Sequence, residues 1–247
     1  MTAPLLVDDR DGVRVITWNR PEALNAMSME LWDGTRDALD GVAGADIGCV
    51  VLTGNGRGFN VGQDLAEFGH PAQADETRGL RGLMRALSEV EVPLVAAVNG
   101  MAVGFGATLL PWCEVVVVSE HARMKVPFLS LGVTTEAGSS ASLPAVMGPQ
   151  AAARFVLTGE WMSADEMVAC GLAWKVVPPE ELMPAALDVA TTIAGQPRQA
   201  TRTTTRLLRA GRREAWLAAA DREYAEMGRL AGSDENLAAI EAFFNRA

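Results

Sequence analysis

With 247 residues, 49% of them hydrophobic and 21% charged, the chain is long enough to bury a sizeable core and is most simply one globular domain with a helical extension. A formal charge of −10 argues against a nucleic-acid-binding surface, because phosphate neutralisation needs clustered cations, though a local basic pocket for a phosphorylated group stays open. No apolar run approaches the roughly 20 residues of a membrane span, and MTAPLLVDDR lacks the features of a secretory leader, so a soluble cytoplasmic protein without membrane contact is expected.

In chain order, the first expected strand covers 13–18. A helix follows, capped by Ser28, with Leu31, Thr35, Ala38 and Leu39 at helical spacing. The Val-rich run 49–53 reads as a strand, and 75–91 as a helix with Leu80, Leu83, Met84 and Leu87 on one face. Strands at 93–98 and 114–119 complete a strand–helix–strand alternation that implies parallel pairing. Beyond about residue 138 the pattern turns helical. SADE at 163–166 is a capping box, with Ser163 and Glu166 as its reciprocal pair and Gly171 closing the helix. A short strand at 173–177 precedes helices over most of 180–244, with breaks expected near Pro197, Gly211 and Gly232. Trp216, Ala220, Tyr224, Met227 and Ala231 form one apolar face, which either folds over the core or packs on a neighbouring subunit.

Scarce residue types exclude several chemistries. The two histidines, His70 and His121, stand in a polar loop and a turn, in no setting that a Ser-His-Asp triad would use. Cys49, Cys113 and Cys170 form no CxxC, so neither zinc nor a disulfide framework is supported. Carboxylates and backbone amides are left to do the chemistry. Two glycine-rich stretches follow strands. GNGRG (54–58) lacks the Lys-Ser or Lys-Thr of a P-loop, and GFGATL (104–109) has Leu109 in place of a third glycine. Taken alone, these glycines either permit tight turns or expose backbone N–H groups; two such groups aimed at one oxygen would make an oxyanion hole.

Four segments, NRPEALNAM (19–27), VVLTGNGRGFNVGQDL (50–65), VPLVAAVNGMAVGFGATLL (92–110) and LTGEWMSADEMVACGLAWKVVP (157–178), resemble in order and spacing the signature segments of the crotonase superfamily, the enoyl-CoA hydratase/isomerase fold. The resemblance implies an α/β fold: a ββα spiral core of two nearly perpendicular sheets over 1–195, and a helical trimerisation region over 196–247. It also implies a homotrimer or a dimer of trimers, and an acyl-CoA thioester as substrate with no other cofactor. The thioester oxygen would be held by the N–H groups of Val61 and Phe105. Positions matching the substrate-contacting segments are Ala23, Val61, Gly62, Gln63, Asp64, Leu65, Phe105, Gly106 and Phe128. Asp64 would organise the loop that receives the adenine end of CoA, and Glu114 matches an acidic position that looks structural. Candidates for the CoA phosphates are Arg20 and Arg57, or Arg202, Arg206 and Arg209. Leu65, Phe68, Met84, Leu87 and Phe128 are apolar and belong either to the acyl pocket or to ordinary core.

Hydratases of this superfamily carry two glutamates, and the matching positions here are Thr108 and Phe128. Neither supplies a carboxylate, whereas hydration needs a water activated and a proton delivered. A carboxylate does stand at Glu136, in LGVTTEAGSS (131–140), a segment that resembles the peroxisomal type of Δ3,Δ2-enoyl-CoA isomerase. The expectation is therefore an isomerase that shifts a 3-enoyl-CoA double bond to the 2-trans position, with Glu136 as the sole base. Burial of Glu136 would raise its pKa and suit it to act as both base and acid. Two alternatives stand beside it: another acyl-CoA reaction of the family (hydration, hydrolysis or C–C chemistry), or a non-catalytic acyl-CoA-binding paralogue.

Overall fold

The computed structural model describes residues 3–67 and 75–244, and the side chains up to residue 242; Phe68 and His70 lie outside the described residues. β1 (Leu5–Arg10) and β2 (Val13–Trp18) form an antiparallel hairpin through Asp11 and Gly12, whose positive φ values of 51° and 75° suit a two-residue turn. β1 is not evident from the sequence. It is an edge strand exposed along most of its length, so no apolar alternation marks it.

From β2 the chain passes through α1 (Met29–Asp40) to β3 (Cys49–Gly54), β4 (Gly58–Asn60), α2 (Gly79–Glu89), β5 (Leu94–Val98), β6 (Met101–Val103), α3 (Phe105–Thr108), β7 (Val115–Ser119) and β8 (Arg123–Lys125). Successive strands feed two sheets in turn: β3, β5 and β7 pair in parallel in one, while β4, β6 and β8 pair in parallel in the other. Each circuit thus adds a strand, a strand and a helix, which is a ββα spiral. After α4 (Ser139–Met147), α5 (Pro149–Thr158), β9 (Met162–Ser163) and α6 (Ala164–Ala169), β10 (Lys175–Val177) completes a six-stranded sheet of order β1-β2-β3-β5-β7-β10. The smaller sheet runs β4-β6-β8-β9.

The inner strands of the larger sheet are apolar on both faces, which explains their unbroken valine runs. Cys49, Val51, Val95, Ala97 and Val117 meet α7 (Leu182–Ala194) through Leu182, Ala186 and Ala190. Their alternates Val50, Leu52, Leu94, Ala96 and Val118 join the main core with Trp18, Trp32, Phe59 and Phe105. Met84 and Leu87 belong to that core too. The Ser28 cap is present, its Oγ accepting from Leu31 N at 3.4 Å, and so is the Ser163–Glu166 capping box.

The expected break at Gly211 is absent. α8 (Arg198–Leu230) runs through it for 33 residues, and α9 (Asp234–Phe244) follows. A lone exposed glycine costs a helix only about 1 kcal/mol, and the α8 contacts on either side outweigh that. Arg209 bonds to Glu114 and to the carbonyls of Val90 and Val92, and Trp216 packs edge-on against Trp112 at 5.3 Å between ring centroids. α8 therefore folds back over its own core.

Candidate active site

The ends of β4 and β6 lie side by side and deliver two loops to one place. Gly62, at φ +81°, comes so close that a Cβ there would sit 3.2 Å from Phe105 N and 3.1 Å from Val103 O. A Cβ on Gly106 would stand 2.0 Å from Asn60 O, so both glycines are needed for the approach of α3 to β4. Asn60 Oδ1 accepts from Gly62 N at 2.8 Å and holds the first loop. Among the described residues, neither the Val61 N–H nor the Phe105 N–H donates a hydrogen bond. Two unengaged donors, Phe105 N at the start of α3 and Val61 N just after β4, make a ready site for an oxygen carrying negative charge. The Phe105 ring itself turns into the core, edge-on to Trp32 at 4.6 Å.

Around these loops the other matched positions are tied together. Trp32 Nε1 donates to Gln63 Oε1 at 3.2 Å, and Gln63 Nε2 donates to Asp64 O at 3.1 Å. Asp64 receives Arg20 Nη1 at 2.8 Å and the Ala66 N–H at 3.0 Å. Ala23 ends a short turn before Leu24 and Asn25, both at positive φ, and the buried Asn25 amide ties that turn to the carbonyls of Asn55 and Gly58. Leu65 is exposed, whereas Phe128 is buried. Glu67 accepts the Met29 N–H at the start of α1.

The cationic candidates separate. Arg209 is withdrawn from any phosphate role, since its guanidinium is buried on Glu114 and two carbonyls, and this makes Glu114 a structural anchor. Arg20 is bound to Asp64, and Arg202 lies 3.6 Å from Glu91. Arg57 and Arg206 are exposed. Burial pushes the Cys49 thiol up to about 12 and the Cys113 thiol higher still, so both are inert.

Glu136 enters on the loop before α4. Its neighbours Ala137 and Gly138 both adopt left-handed backbone, at φ +60° and +74°. Trp112 Nε1 donates to Ala137 O at 3.0 Å, and the Glu223 carboxylate accepts the N–H groups of Gly138 and Ser140 at 2.7 Å each. Thr135 and Ser139 share a hydroxyl hydrogen bond beside them. Burial, and secondarily the charge of Glu223, push the Glu136 carboxyl up to about 7. It borders a cavity of about 30 Å³ shared with Ala137, Ala220, Glu223, Tyr224 and Met227. The Tyr224 hydroxyl is buried without a hydrogen-bond partner among the described residues, and burial and the Glu136 charge raise its pKa well above the usual tyrosine value. Thr108 offers only a hydroxyl, directed to Phe105 O at 3.4 Å.

Glu223 was not evident from the sequence, and Tyr224 read only as part of an apolar face. The available signal was a glutamate seven residues after Trp216, inside the stripe that buries Trp216 and Ala220. Its partners lie 83 and 85 residues upstream, beyond the reach of any local pattern.

A family model described as enoyl-CoA hydratase/isomerase matches residues 8–246. The chain is 32% identical over 244 residues to the 2,3-dehydroadipyl-CoA hydratase of Escherichia coli K12, covering 98% of this chain and 96% of that protein. It is 35% identical over 194 residues to the 1,2-epoxyphenylacetyl-CoA isomerase of the same strain, covering 75% and 74%. Among solved structures, an enoyl-CoA hydratase/isomerase from Pseudoalteromonas atlantica T6c superposes with a TM-score of 0.95 at 33% identity, over 99% of this chain and 98% of that one.

Proposed function

The chain belongs to the enoyl-CoA hydratase/isomerase family, and from that premise we propose that it moves the double bond of a 3-enoyl-CoA to the conjugated 2-trans position. The observation that carries this reading is Glu136, a carboxyl raised to about 7, in a chain whose two hydratase-matching positions are Thr108 and Phe128. Glu136 takes a C2 proton, acidified by both the thioester and the 3,4-double bond. The C2–H electron pair becomes a C1–C2 double bond and the carbonyl pair moves onto the thioester oxygen, giving a dienolate conjugated with the 3,4-double bond, whose oxygen accepts the Val61 and Phe105 N–H groups. The protonated Glu136 returns the same proton at C4, the oxygen's charge collapses back, and the double bond rests at C2–C3. A carboxyl that titrates near 7 can serve in both half-steps at neutral pH. This 1,3-proton shift is redox-neutral and needs no metal; CoA comes as part of the substrate. The wider reading includes β-oxidation of unsaturated acyl chains, and a homotrimer or dimer of trimers built through residues 196–247.

A second reading is hydration of a 2-enoyl-CoA. The hydratase relative spans 98% of this chain. The cavity of about 30 Å³ between Glu136 and Tyr224 is also roomy enough to hold a water molecule.

Purified protein given 3-enoyl-CoA and 2-enoyl-CoA substrates of several lengths separates these readings. Isomerisation predicts conjugation of the first with little water addition to the second. Glu136→Gln is expected to lower kcat by about 10²–10⁴-fold while leaving acyl-CoA binding within a few-fold. Undiminished turnover in that variant would remove Glu136 from the chemistry. Binding without turnover of either substrate would favour the acyl-CoA-binding alternative.

A further inference from the structure

The 1,3-proton shift needs Glu136 and two backbone N–H groups, yet the loop that bears Glu136 is held from a helix more than 80 residues away. Its backbone is costly. Ala137 is a non-glycine residue at φ +60°, followed by Gly138 at +74°, and left-handed backbone at a side-chain-bearing residue persists only where its surroundings over-determine it. A Cβ on Gly138 would come within 2.5 Å of Trp216 O, so α8 presses directly on this turn.

The main support is the Glu223 carboxylate. One oxygen accepts the Gly138 N–H and the other the Ser140 N–H, each at 2.7 Å. A helix start such as that of α4 presents orphan N–H groups suited to an anion, and α8 fills that place with its own carboxylate. Trp112 Nε1 donates to the carbonyl of the preceding Ala137 and adds a second tie to the turn. We propose that Glu223 is a positioning residue for Glu136: by bridging the Gly138 and Ser140 N–H groups, it fixes the left-handed turn that aims the Glu136 carboxyl at the substrate. The proposal rests on Glu136 being the proton carrier.

The same contact has an electrostatic side. Glu223 and Glu136 border one small cavity, and the Glu223 charge contributes to raising the Glu136 carboxyl. The other groups at this place are the Tyr224 hydroxyl on α8, Asp221 one turn away, and Arg81 of α2, whose guanidinium lies 4.6 Å from the Tyr224 ring centroid. The turn before β7 contributes the uncharged Trp112. Removing the Glu223 charge therefore lowers the pH at which Glu136 ionises, while removing its second oxygen loosens the turn.

Glu223→Gln and Glu223→Asp in the full chain separate the two effects, each variant first checked by circular dichroism and melting. Glu136 is followed in two ways: by kcat and KM on 3-enoyl-CoA across pH 5.5–9 (roughly the range flanking its titration), and by ¹³C NMR of its carboxyl, assigned by loss of the signal in Glu136→Gln. Glu223→Gln is expected to keep KM within about twofold and to lower kcat about tenfold or more, with the NMR midpoint shifted to lower pH. Glu223→Asp retains charge but loses reach, so kcat falls while the midpoint stays near that of the unsubstituted protein. Unchanged kcat and midpoint in Glu223→Gln would overturn the proposal. A fall in melting temperature with no change in the Glu136 titration, or loss of fold in both variants, would also overturn it by reducing Glu223 to a structural cap. If the unsubstituted protein conjugates no 3-enoyl-CoA, the isomerase reading fails on its own, and the NMR titration still decides whether Glu223 governs Glu136.

Discussion

The Glu136 carboxyl, at about 7 against an ordinary value of 4.5, binds its proton more tightly in the folded protein than in the unfolded chain. Its contribution to stability is present in full below 4.5 and is lost as pH rises through about 7. At pH 8 or so the folded state holds an ionised carboxylate that burial and Glu223 disfavour, a cost of about 1–3 kcal/mol. Glu136→Gln removes that cost because glutamine never ionises. The variant is expected to be more stable than the unsubstituted protein near pH 8 and nearly equal to it near pH 5. Denaturant unfolding at the two pH values checks this, and a stability difference independent of pH would mean the carboxyl is not held protonated. Loss of activity joined to gain of stability in one substitution is the behaviour expected of a strained functional group rather than a packing residue.

At the scale of elements, α8 shows how a local rule yields to packing. Gly211 is a helix breaker by propensity, yet it lies inside 33 continuous helical residues. Among the described residues, nothing beyond the helix's own backbone comes within 4 Å of the place where its Cβ would be. Gly211→Ala should therefore stabilise the protein by about 0.5–1 kcal/mol, through the unfolded state's lost freedom as much as through helix propensity. A rise in the denaturant midpoint with unchanged slope is the expected reading; a fall would mean a hidden contact at that position. The same contest explains which elements are legible in the sequence. β3, β5 and β7 are buried on both faces and announce themselves as valine runs, whereas β1 is exposed and carries no alternation. β4, β6 and β8 have three residues each, too few for a period to show, and only the resemblance to the crotonase superfamily implied a second sheet. Glu136 stood out through a sequence segment. Glu223 did not, since its role depends on a tertiary approach.

At the scale of the whole molecule, the spiral core and the C-terminal helices share buried polar contacts as well as apolar ones. Arg209 joins α8 to Glu114 and to the carbonyls of Val90 and Val92 near the start of β5. Further along α8, Trp216 packs on Trp112, and Glu223 accepts two N–H groups at the start of α4. Deleting residues 196–247 would leave Glu114 without its arginines, expose Trp112, and strip the anion from the Gly138–Ser140 turn. Each large apolar side chain that α8 covers, once returned to water, costs about 1.5–3 kcal/mol, a large share of the roughly 5–15 kcal/mol that stabilises a domain. A chain of residues 1–195 is therefore expected to lose the cooperative thermal transition and to expose apolar surface to a dye such as ANS. The full chain should unfold in a single transition when followed by tryptophan fluorescence and by far-ultraviolet circular dichroism. A truncated chain that melts cooperatively near the full-length temperature would show that the spiral stands alone, and that α8 serves only what lies outside it.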